Sequence, residues 1–277
     1  MVSTLQRDPA AIAKLALTLR RDIVEMLGAA GSGHTGGSLS CADILATLFT
    51  AELRYDPANP KWPQRDRFIL SKGHAAPALY AVLARSGFFS PDHLRTLRKL
   101  NSILQGHPDM NKTPGVEMST GSLGQGLSVG CGMAAMAFDA ARRAAYRVYV
   151  LLGDGELNEG QVWEAAMSAA HHRLGNLCAV IDRNGLQIDG ETCSVMNTDP
   201  LDEKWRAFGW NVIPANGHDY RQLLAALEVA RAETQRPSVI IAQTVKGKGV
   251  SFTENQACWH GIAPDQEQVC QALDELK

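Results

Sequence analysis

The sequence lacks several features that would place it in particular classes of protein. No run of about 18 uninterrupted apolar residues occurs, so no segment has the character of a membrane-spanning helix. Residues 1–16 lack the basic stretch followed by an apolar one that is typical of a secretion signal. The formal net charge is only −2, which gives no indication of binding to nucleic acid or to an acidic membrane.

Cysteine pairs are also missing. The six cysteines occur without CxxC spacing, at Cys41, Cys131, Cys178, Cys193, Cys258 and Cys270. This pattern is typical of reduced, mostly buried thiols in a cytoplasmic protein, with three disulfides as the alternative. With 277 residues and 45% hydrophobic content, the chain is expected to form one domain over residues 1–277.

Helical and strand-like segments alternate along the chain. Apolar periodicity predicts helices over residues 9–28, Cys41–Leu53 and Gln266–Leu276, and a helix that begins near Glu159. Buried strands are predicted at Phe68–Leu70 and in RVYVLL, NLCAVI, NVIPA and SVIIAQ. This order predicts an α/β fold with a mostly parallel sheet and helices on both faces. Such sheets bind ligands at the carboxyl ends of their strands.

Polar residues follow two neighbouring strands of this predicted sheet. Gly153-Asp154-Gly155 ends one strand, and Asn184 with Gly185 follows the next. A right-handed crossover brings these strand ends to the same edge, so Asp154 and Asn184 can converge. Carboxylate, amide and main-chain oxygens suit a hard divalent cation, and glycines let the backbone approach a diphosphate closely. Each motif alone is compatible with an ordinary turn.

Half of the histidines lie beside glycine in predicted loops; these are His34, His74, His107 and His260. Four such loops favour a shared site. Zinc is a poor explanation, because ligand spacing such as HExxH is missing. Neutral imidazole can donate, accept and move protons, which suits a polyhydroxylated substrate. A single loop histidine is typically a solvated surface residue, and that interpretation is kept for His93, His171, His172 and His218.

The strings around these residues resemble the N-terminal half of transketolases. In the transketolase order and with similar spacing, the chain contains GSGHTGGSLS, LSKGHAAPALYAVL, LQGHPD, STGSLGQGLSVGCGMA, GDGELNEGQVWEAA and TVKGKGVSFTENQACWHG. The resemblance covers nearly all of residues 10–265. Most transketolases have GHPG where this chain has GHTG, and TGPLGQG where it has TGSLGQG. Neither departure removes a functional side chain, so both concern the assignment to a subfamily more than the binding of the cofactor.

The resemblance implies a thiamine-diphosphate-binding fold, specifically its diphosphate-binding domain, and roles for particular residues. The implied ligands of Mg²⁺, for which Ca²⁺ or Mn²⁺ can substitute, are Asp154, the side chain of Asn184 and the carbonyl of Leu186. The implied contacts of thiamine diphosphate are His74, Gly121, Ser122, Leu123, Gly155, Asn184 and His260. The implied substrate contacts are His34, His107 and His260, and the implied catalytic residues are His34, His74 and His260. Glu159 matches a family glutamate at the subunit interface.

Two other ligand motifs fail on their details. No strand leads directly into the glycines between Gly121 and Gly130, which argues against a nicotinamide site. Lys248 is followed by glycine, which argues against a P-loop. Gly126, Gly130 and Ala134 recur at i, i+4 and i+8 and predict a smooth helix face. Core packing and the dimer interface that the family has near this helix remain alternatives.

A full transketolase has two further domains, for which this sequence contains no counterpart. In the family, the next domain supplies the glutamate that activates the cofactor and most groups that bind sugar phosphate. The resemblance therefore implies an N-terminal subunit of a split transketolase, active only with a C-terminal subunit in an α₂β₂ assembly. The implied activity is transfer of a two-carbon ketol unit between sugar phosphates, as in the pentose phosphate pathway. A fragment of a longer enzyme is the alternative.

Two further functions remain open. The α subunit of a 2-oxo acid dehydrogenase, or a deoxyxylulose-phosphate synthase, shares the GDG…N pattern but not the full set of Gly-His loops. A non-catalytic regulatory partner with the same fold is the second alternative. Retention of Asp154, Asn184 and the four loop histidines argues against that function.

Overall fold

The computed structural model describes residue 3 and residues 5–138 and 144–277. Residues 1, 2, 4 and 139–143, which the expected single domain includes, lie outside this described part. The strands are β1 (Arg67–Leu70), β2 (Val148–Gly153), β3 (Leu177–Arg183), β4 (Leu186–Gln187), β5 (Gly190–Glu191), β6 (Asn211–Asn216) and β7 (Ser238–Gln243). The helices are α1 (Pro9–Ala30), α2 (Thr35–Ser40), α3 (Ala42–Ala51), α4 (Ala76–Arg85), α5 (Gln125–Met136), α6 (Gly160–His171), α7 (Thr192–Val195), α8 (Leu201–Ala207), α9 (Tyr220–Ala232) and α10 (Gln266–Glu275).

The central sheet has five parallel strands in the order β1-β2-β3-β7-β6. One hydrophobic core, containing α1, α3 and α4, covers one face, and a second core, containing α5 and α6, covers the other. Strands buried on both faces read as continuous apolar runs, which is why the sequence pattern is informative here. The predicted parallel sheet with helices on both faces is confirmed. Among the described residues, no helix is long and apolar enough to cross a membrane.

The first helix continues past its predicted end at Gly28. It runs to Ala30, and Gly31 caps it in the left-handed conformation with φ of 64°. A Cβ atom on Gly28 would lie 2.3 Å from the Cγ2 atom of Val269 in α10. Gly28 therefore permits close packing between two helices, whereas Gly31 supplies the positive φ that a helix end requires.

The smooth face of α5 packs on the sheet. A Cβ atom on Gly126 would lie 2.5 Å from Ser71 Oγ, and one on Gly130 would lie 2.7 Å from Val150 Cγ2. Ala134 is fully buried. Of the two alternatives, core packing explains these small residues. The opposite face of α5 is exposed and is the part of this helix that a partner could reach.

The cysteines fit the expectation only partly. All six are free thiols, and Cys41, Cys131 and Cys178 are buried as expected. The other three are exposed, at Cys193, Cys258 and Cys270. Burial raises the pKa of Cys41 to about 12, so this buried thiol is a poor nucleophile.

Candidate active site

Loops from separate parts of the sequence meet at the carboxyl edge of the sheet. Strand β1 leads to the turn with His74, β2 leads to Asp154, and β3 leads to Asn184. The parallel register places Gly153 opposite Asp182, so the ends of β2 and β3 lie side by side. His34 approaches from the connection between α1 and α2. The convergence that the sequence predicted is therefore present.

The four loop histidines form one cluster. The ring centre of His34 lies 5.3 Å from that of His74, 6.4 Å from that of His107 and 5.5 Å from that of His260. The rings of His74 and His260 are 5.1 Å apart. This spacing would let several imidazoles contact one small polar molecule.

These imidazoles are neutral at physiological pH. Burial, followed by nearby positive charge, lowers the pKa of both His34 and His260 to about 4. Burial also places the pKa of His74 well below its ordinary value, and burial with Arg98 lowers that of His107. A neutral ring has one N–H donor and one acceptor nitrogen, so each can act in both directions.

The glycine loop before α5 is pressed against the turn that holds His74. A Cβ atom on Gly73 would lie only 2.6 Å from the backbone nitrogen of Gly121. One on Gly121 would lie 3.1 Å from the ring of His107. Leu123 lines the same pocket as Asp154 and His74, whereas Ser122 is exposed. The Gly121–Leu123 loop thus forms one wall beside the histidines.

The three residues whose oxygen atoms the family resemblance assigns to a cation, Asp154, Asn184 and Leu186, line one pocket. Asp154 accepts hydrogen bonds from the backbone nitrogens of Gly155 at 2.9 Å and Gly185 at 2.6 Å. The side-chain oxygen of Asn184 accepts from the Leu186 backbone nitrogen at 3.1 Å. Each of these oxygens has a further lone pair. A carboxylate, an amide and a main-chain carbonyl form a donor set that fits Mg²⁺ or Ca²⁺.

The chain matches the family model described as "Transketolase, thiamine diphosphate binding domain" over residues 11–276. The chain belongs to the transketolase family. It is 45% identical to the 6-deoxy-6-sulfo-D-fructose transketolase subunit of Clostridium sp. MSTE9, with 94% of each chain covered. It is 44% identical to an apulose-4-phosphate transketolase subunit of Phocaeicola vulgatus, covering 93% of this chain and 90% of that protein.

A transketolase of known structure, from Leishmania mexicana, is 34% identical and superimposes with a TM-score of 0.90. The match covers 96% of this chain but only 41% of the Leishmania transketolase. Membership of the transketolase family, which the sequence motifs predicted, is confirmed. The transketolase relatives are transferases, and this argues against the 2-oxo acid dehydrogenase alternative.

Sequence reasoning missed a buried ion pair beneath the site. Lys72 and Asp182, both essentially inaccessible, are in direct contact. Lys72 also donates to the Gly37 carbonyl at 2.9 Å, and Asp182 accepts from Ser40 at 2.5 Å and from Thr244. The pair therefore joins strand β3 to the loop after β1, to α2 and to the loop after β7. Burial opposes the charge on Lys72, but Asp182 raises the pKa of the ammonium above its ordinary value.

Lys246 was also missed. Its ammonium lies 3.0 Å from His260 Nδ1 and 3.3 Å from the carbonyl oxygen of Leu186. Burial, followed by the charge of Lys72, lowers its pKa to about 8. The rejected P-loop in TVKGKG involves Lys248, so that motif did not point to Lys246. The strand before it was the available signal, because residues that follow a parallel strand lie at the ligand edge.

Two glutamates near Asp154 have different environments. Glu156 is buried and accepts from Ser71 Oγ at 2.5 Å and from the backbone nitrogens of Gly124 at 2.9 Å and Gly153 at 3.0 Å. It fixes three site loops relative to one another. Glu159, the residue predicted for a subunit interface, is exposed immediately before α6. That exposure is compatible with an interface role, which stays a prediction.

His218 is not the solvated residue that the sequence indicated. Its Nδ1 lies 2.6 Å from Asp43 Oδ2, and its Nε2 accepts from the Val245 backbone nitrogen at 2.8 Å. Because Nε2 is the acceptor, Nδ1 carries the proton that bonds Asp43. Asp43 also binds the Arg20 guanidinium, at 2.6 and 2.9 Å. This network holds the backbone directly before Lys246.

Proposed function

We propose that this chain binds thiamine diphosphate with a divalent cation, which we infer to be Mg²⁺ with Ca²⁺ or Mn²⁺ as substitutes. With a separate subunit, it would transfer a two-carbon ketol unit from a ketose phosphate to an aldose phosphate. The observation that carries the proposal is the convergence of four neutral histidines with the oxygens of Asp154, Asn184 and Leu186. Neither group alone would specify this chemistry.

The pocket fits a phosphorylated cofactor. Three buried polar atoms around it have no hydrogen-bond partner among the described residues, and they belong to His34, Thr120 and Gln187. Buried polar groups are normally partnered, so these atoms favour a ligand. Lys246 and the ion-paired Lys72 line the pocket together with Gly155. These cations and the close-approach glycine suit a diphosphate.

Each predicted residue has a role in this proposal. Asp154, Asn184 and the Leu186 carbonyl would hold the cation, and the cation would bind the diphosphate. His74, His260, Gly155 and the Gly121–Leu123 loop would contact the cofactor. His34, whose ring lies next to those of the other three histidines, would bind the hydroxyl groups of the sugar together with His107 and His260. When bound, thiamine diphosphate supplies the carbanion chemistry that breaks and forms the carbon–carbon bond.

Imidazoles around the reacting carbon would carry the protons. His34, His74 and His260 are neutral, so each can donate to a developing alkoxide or accept a proton from a hydroxyl. Burial strengthens such hydrogen bonds, because the surrounding dielectric is low.

A partner subunit is part of the proposal. The Clostridium and Phocaeicola relatives, which this chain matches over nearly their full length, are themselves named as transketolase subunits. A face on α5 and α6 is available for association between two copies of this chain. Val129 and Met136 on α5 and Met167 on α6 are exposed, with Met136 81% accessible. We therefore propose an α₂β₂ assembly.

The test is reconstitution. The purified chain is titrated calorimetrically with thiamine diphosphate and Mg²⁺, and it is assayed for ketol transfer with and without the product of the adjacent gene. We expect cofactor binding by the chain and activity only after mixing. Robust activity of the chain alone would refute the need for a partner. Absence of cofactor binding, alone and in the mixture, would favour a regulatory protein instead.

A further inference from the structure

One buried hydrogen-bond donor in the cofactor pocket belongs to none of the predicted contacts. The Nε2 atom of Gln187 is inaccessible to solvent and has no hydrogen-bond partner in the part of the chain that the structure describes. Gln187 lines the same pocket as His74, Asp154 and Lys246. An unpartnered buried donor is unfavourable, and a ligand with acceptor atoms would remove that cost.

The backbone that carries this side chain is held in a short hairpin. Gln187 lies on β4, which pairs with β5 through the registers Leu186 to Glu191 and Gln187 to Gly190. A Cβ atom on Gly155 would lie 3.0 Å from the Cβ of Gln187 and 3.7 Å from its Oε1. The side chain thus covers Gly155, at the point where the backbone after β2 is open to the pocket.

The surroundings identify the chemistry of the ligand group. Gln187 follows Leu186, whose carbonyl oxygen is in contact with the Lys246 ammonium. Because Asp182 already neutralises Lys72, the excess of positive charge on this side of the pocket would come from Lys246 and the proposed divalent cation, which together outweigh the carboxylates of Asp154 and Glu156 and favour an anionic group. A primary amide adds two neutral N–H donors. The histidine cluster that would receive the sugar is formed by other loops.

We propose that Gln187 is a diphosphate-binding residue whose side-chain amide donates to a phosphate oxygen beside Gly155. This inference rests on the proposed function, since it assumes that the cofactor diphosphate occupies this pocket. It assigns to the β4–β5 hairpin a direct contact in addition to the Leu186 carbonyl. The contact would be absent in a chain that carried an apolar residue at this position.

The test compares Gln187→Leu and Gln187→Met with the unmodified full-length chain. Each is titrated calorimetrically with thiamine diphosphate and Mg²⁺, and separately with inorganic diphosphate and Mg²⁺. We expect both variants to bind both ligands roughly 10- to 100-fold more weakly, because a hydrogen bond to a charged group is lost. The matched control is Gln271→Leu on the exposed side of α10, which should bind as the unmodified chain does.

The outcomes separate this inference from the function on which it rests. If the unmodified chain binds neither ligand, the proposed function fails. If it binds and both variants bind equally well, only the role of Gln187 is overturned. Weaker binding of the cofactor with unchanged binding of inorganic diphosphate would also overturn it. Thermal melting without ligand reports on folding; if the leucine variant is unstable, the methionine variant, which keeps the side-chain length, decides.

Discussion

Buried carboxylates lie at both edges of the central sheet, but different groups surround them. At the amino edge, Glu52 accepts from the Tyr149 hydroxyl at 2.6 Å and pairs with Arg231 at 3.0 Å and Arg7 at 3.3 Å. Asp66, just before β1, is paired with the Arg54 guanidinium at 2.9 Å. At this edge, protein cations neutralise the carboxylates.

At the carboxyl edge, Lys72 and Asp182 neutralise each other, but Asp154 and Lys246 have no ion-pair partner among the described residues. Among the described residues, the Asp154 carboxylate accepts hydrogen bonds only from the backbone nitrogens of Gly155 and Gly185. Burial, and then the charge of Asp182, raise its pKa to about 6. Lys246 contacts a histidine and a carbonyl but forms no ion pair within the described ranges. Charged residues with a structural role are thus paired within the protein. Asp154 and Lys246 are left unpaired, and in our proposal a metal ion and a diphosphate would be their partners.

The largest expected effect is at Asp154, which has no protein cation to replace a metal. Asp154→Ala should abolish detectable Mg²⁺-dependent binding of thiamine diphosphate, because the cation would lose its only charged ligand. Calorimetry on the reconstituted complex measures the loss. Asp202→Ala, in an exposed pair with Arg206, serves as the control and should bind normally. Equal affinity of the Asp154 variant and the unmodified protein would disprove the metal site.

At the amino edge, a substitution should lower the stability of the protein without changing its affinity for the cofactor. Glu52→Ala leaves the buried Tyr149 hydroxyl without its acceptor and opens a cavity, at a cost of about 3 kcal/mol. Most of that cost comes from the hydroxyl and the cavity, since Arg7 and Arg231 are partly exposed and their ion pairs are screened. Urea denaturation measures the change, with exposed Glu228→Ala as control. A loss of cofactor affinity in the folded variant would contradict the division between the two edges.

Within the site, His260 should affect chemistry more than folding. His260→Ala should lower the turnover of the reconstituted enzyme by roughly 100-fold, because one acid–base or charge-stabilising group is removed. The melting temperature should change little, since this residue ends a short 3-10 helix and belongs to neither hydrophobic core. Exposed His93→Ala is the matched control. An unchanged rate with the natural donor would show that the role implied by the family does not apply here.

The sequence was most informative where one local pattern determined the structure. Continuous apolar strands indicated the parallel sheet, and Gly-Asp-Gly with Asn184 indicated which strand ends converge. Predicted helix boundaries were less accurate, because a glycine can mark a helix end or can allow close packing inside a helix. Gly28 allows contact with Val269, which no local pattern could reveal.

The supporting charges were unpredictable for a related reason. Lys72 and Asp182 are separated by 110 residues and become partners only through the register of β1, β2 and β3. His218 likewise acquires its two partners from α3 and from the loop after β7. Residues that contact ligands occur in recognisable strings, whereas residues that position those strings depend on contacts distant in sequence.

The smallest effect on cofactor affinity is expected at Lys246. This prediction distinguishes a lysine that binds the ligand from one that forms an ion pair within the protein. Lys246→Met should weaken cofactor binding by about 10-fold, as expected for one charge-assisted contact to the diphosphate. Lys248→Met is a close control in the same loop, because Lys248 is already paired with Glu254 at 3.1 Å. Calorimetry with thiamine diphosphate and Mg²⁺ should separate the two variants, while their melting temperatures without ligand stay similar. If both lysines contribute equally to affinity, the positive charge of the whole loop determines cofactor binding. The proposed difference between paired and unpaired charges would then be wrong at this position.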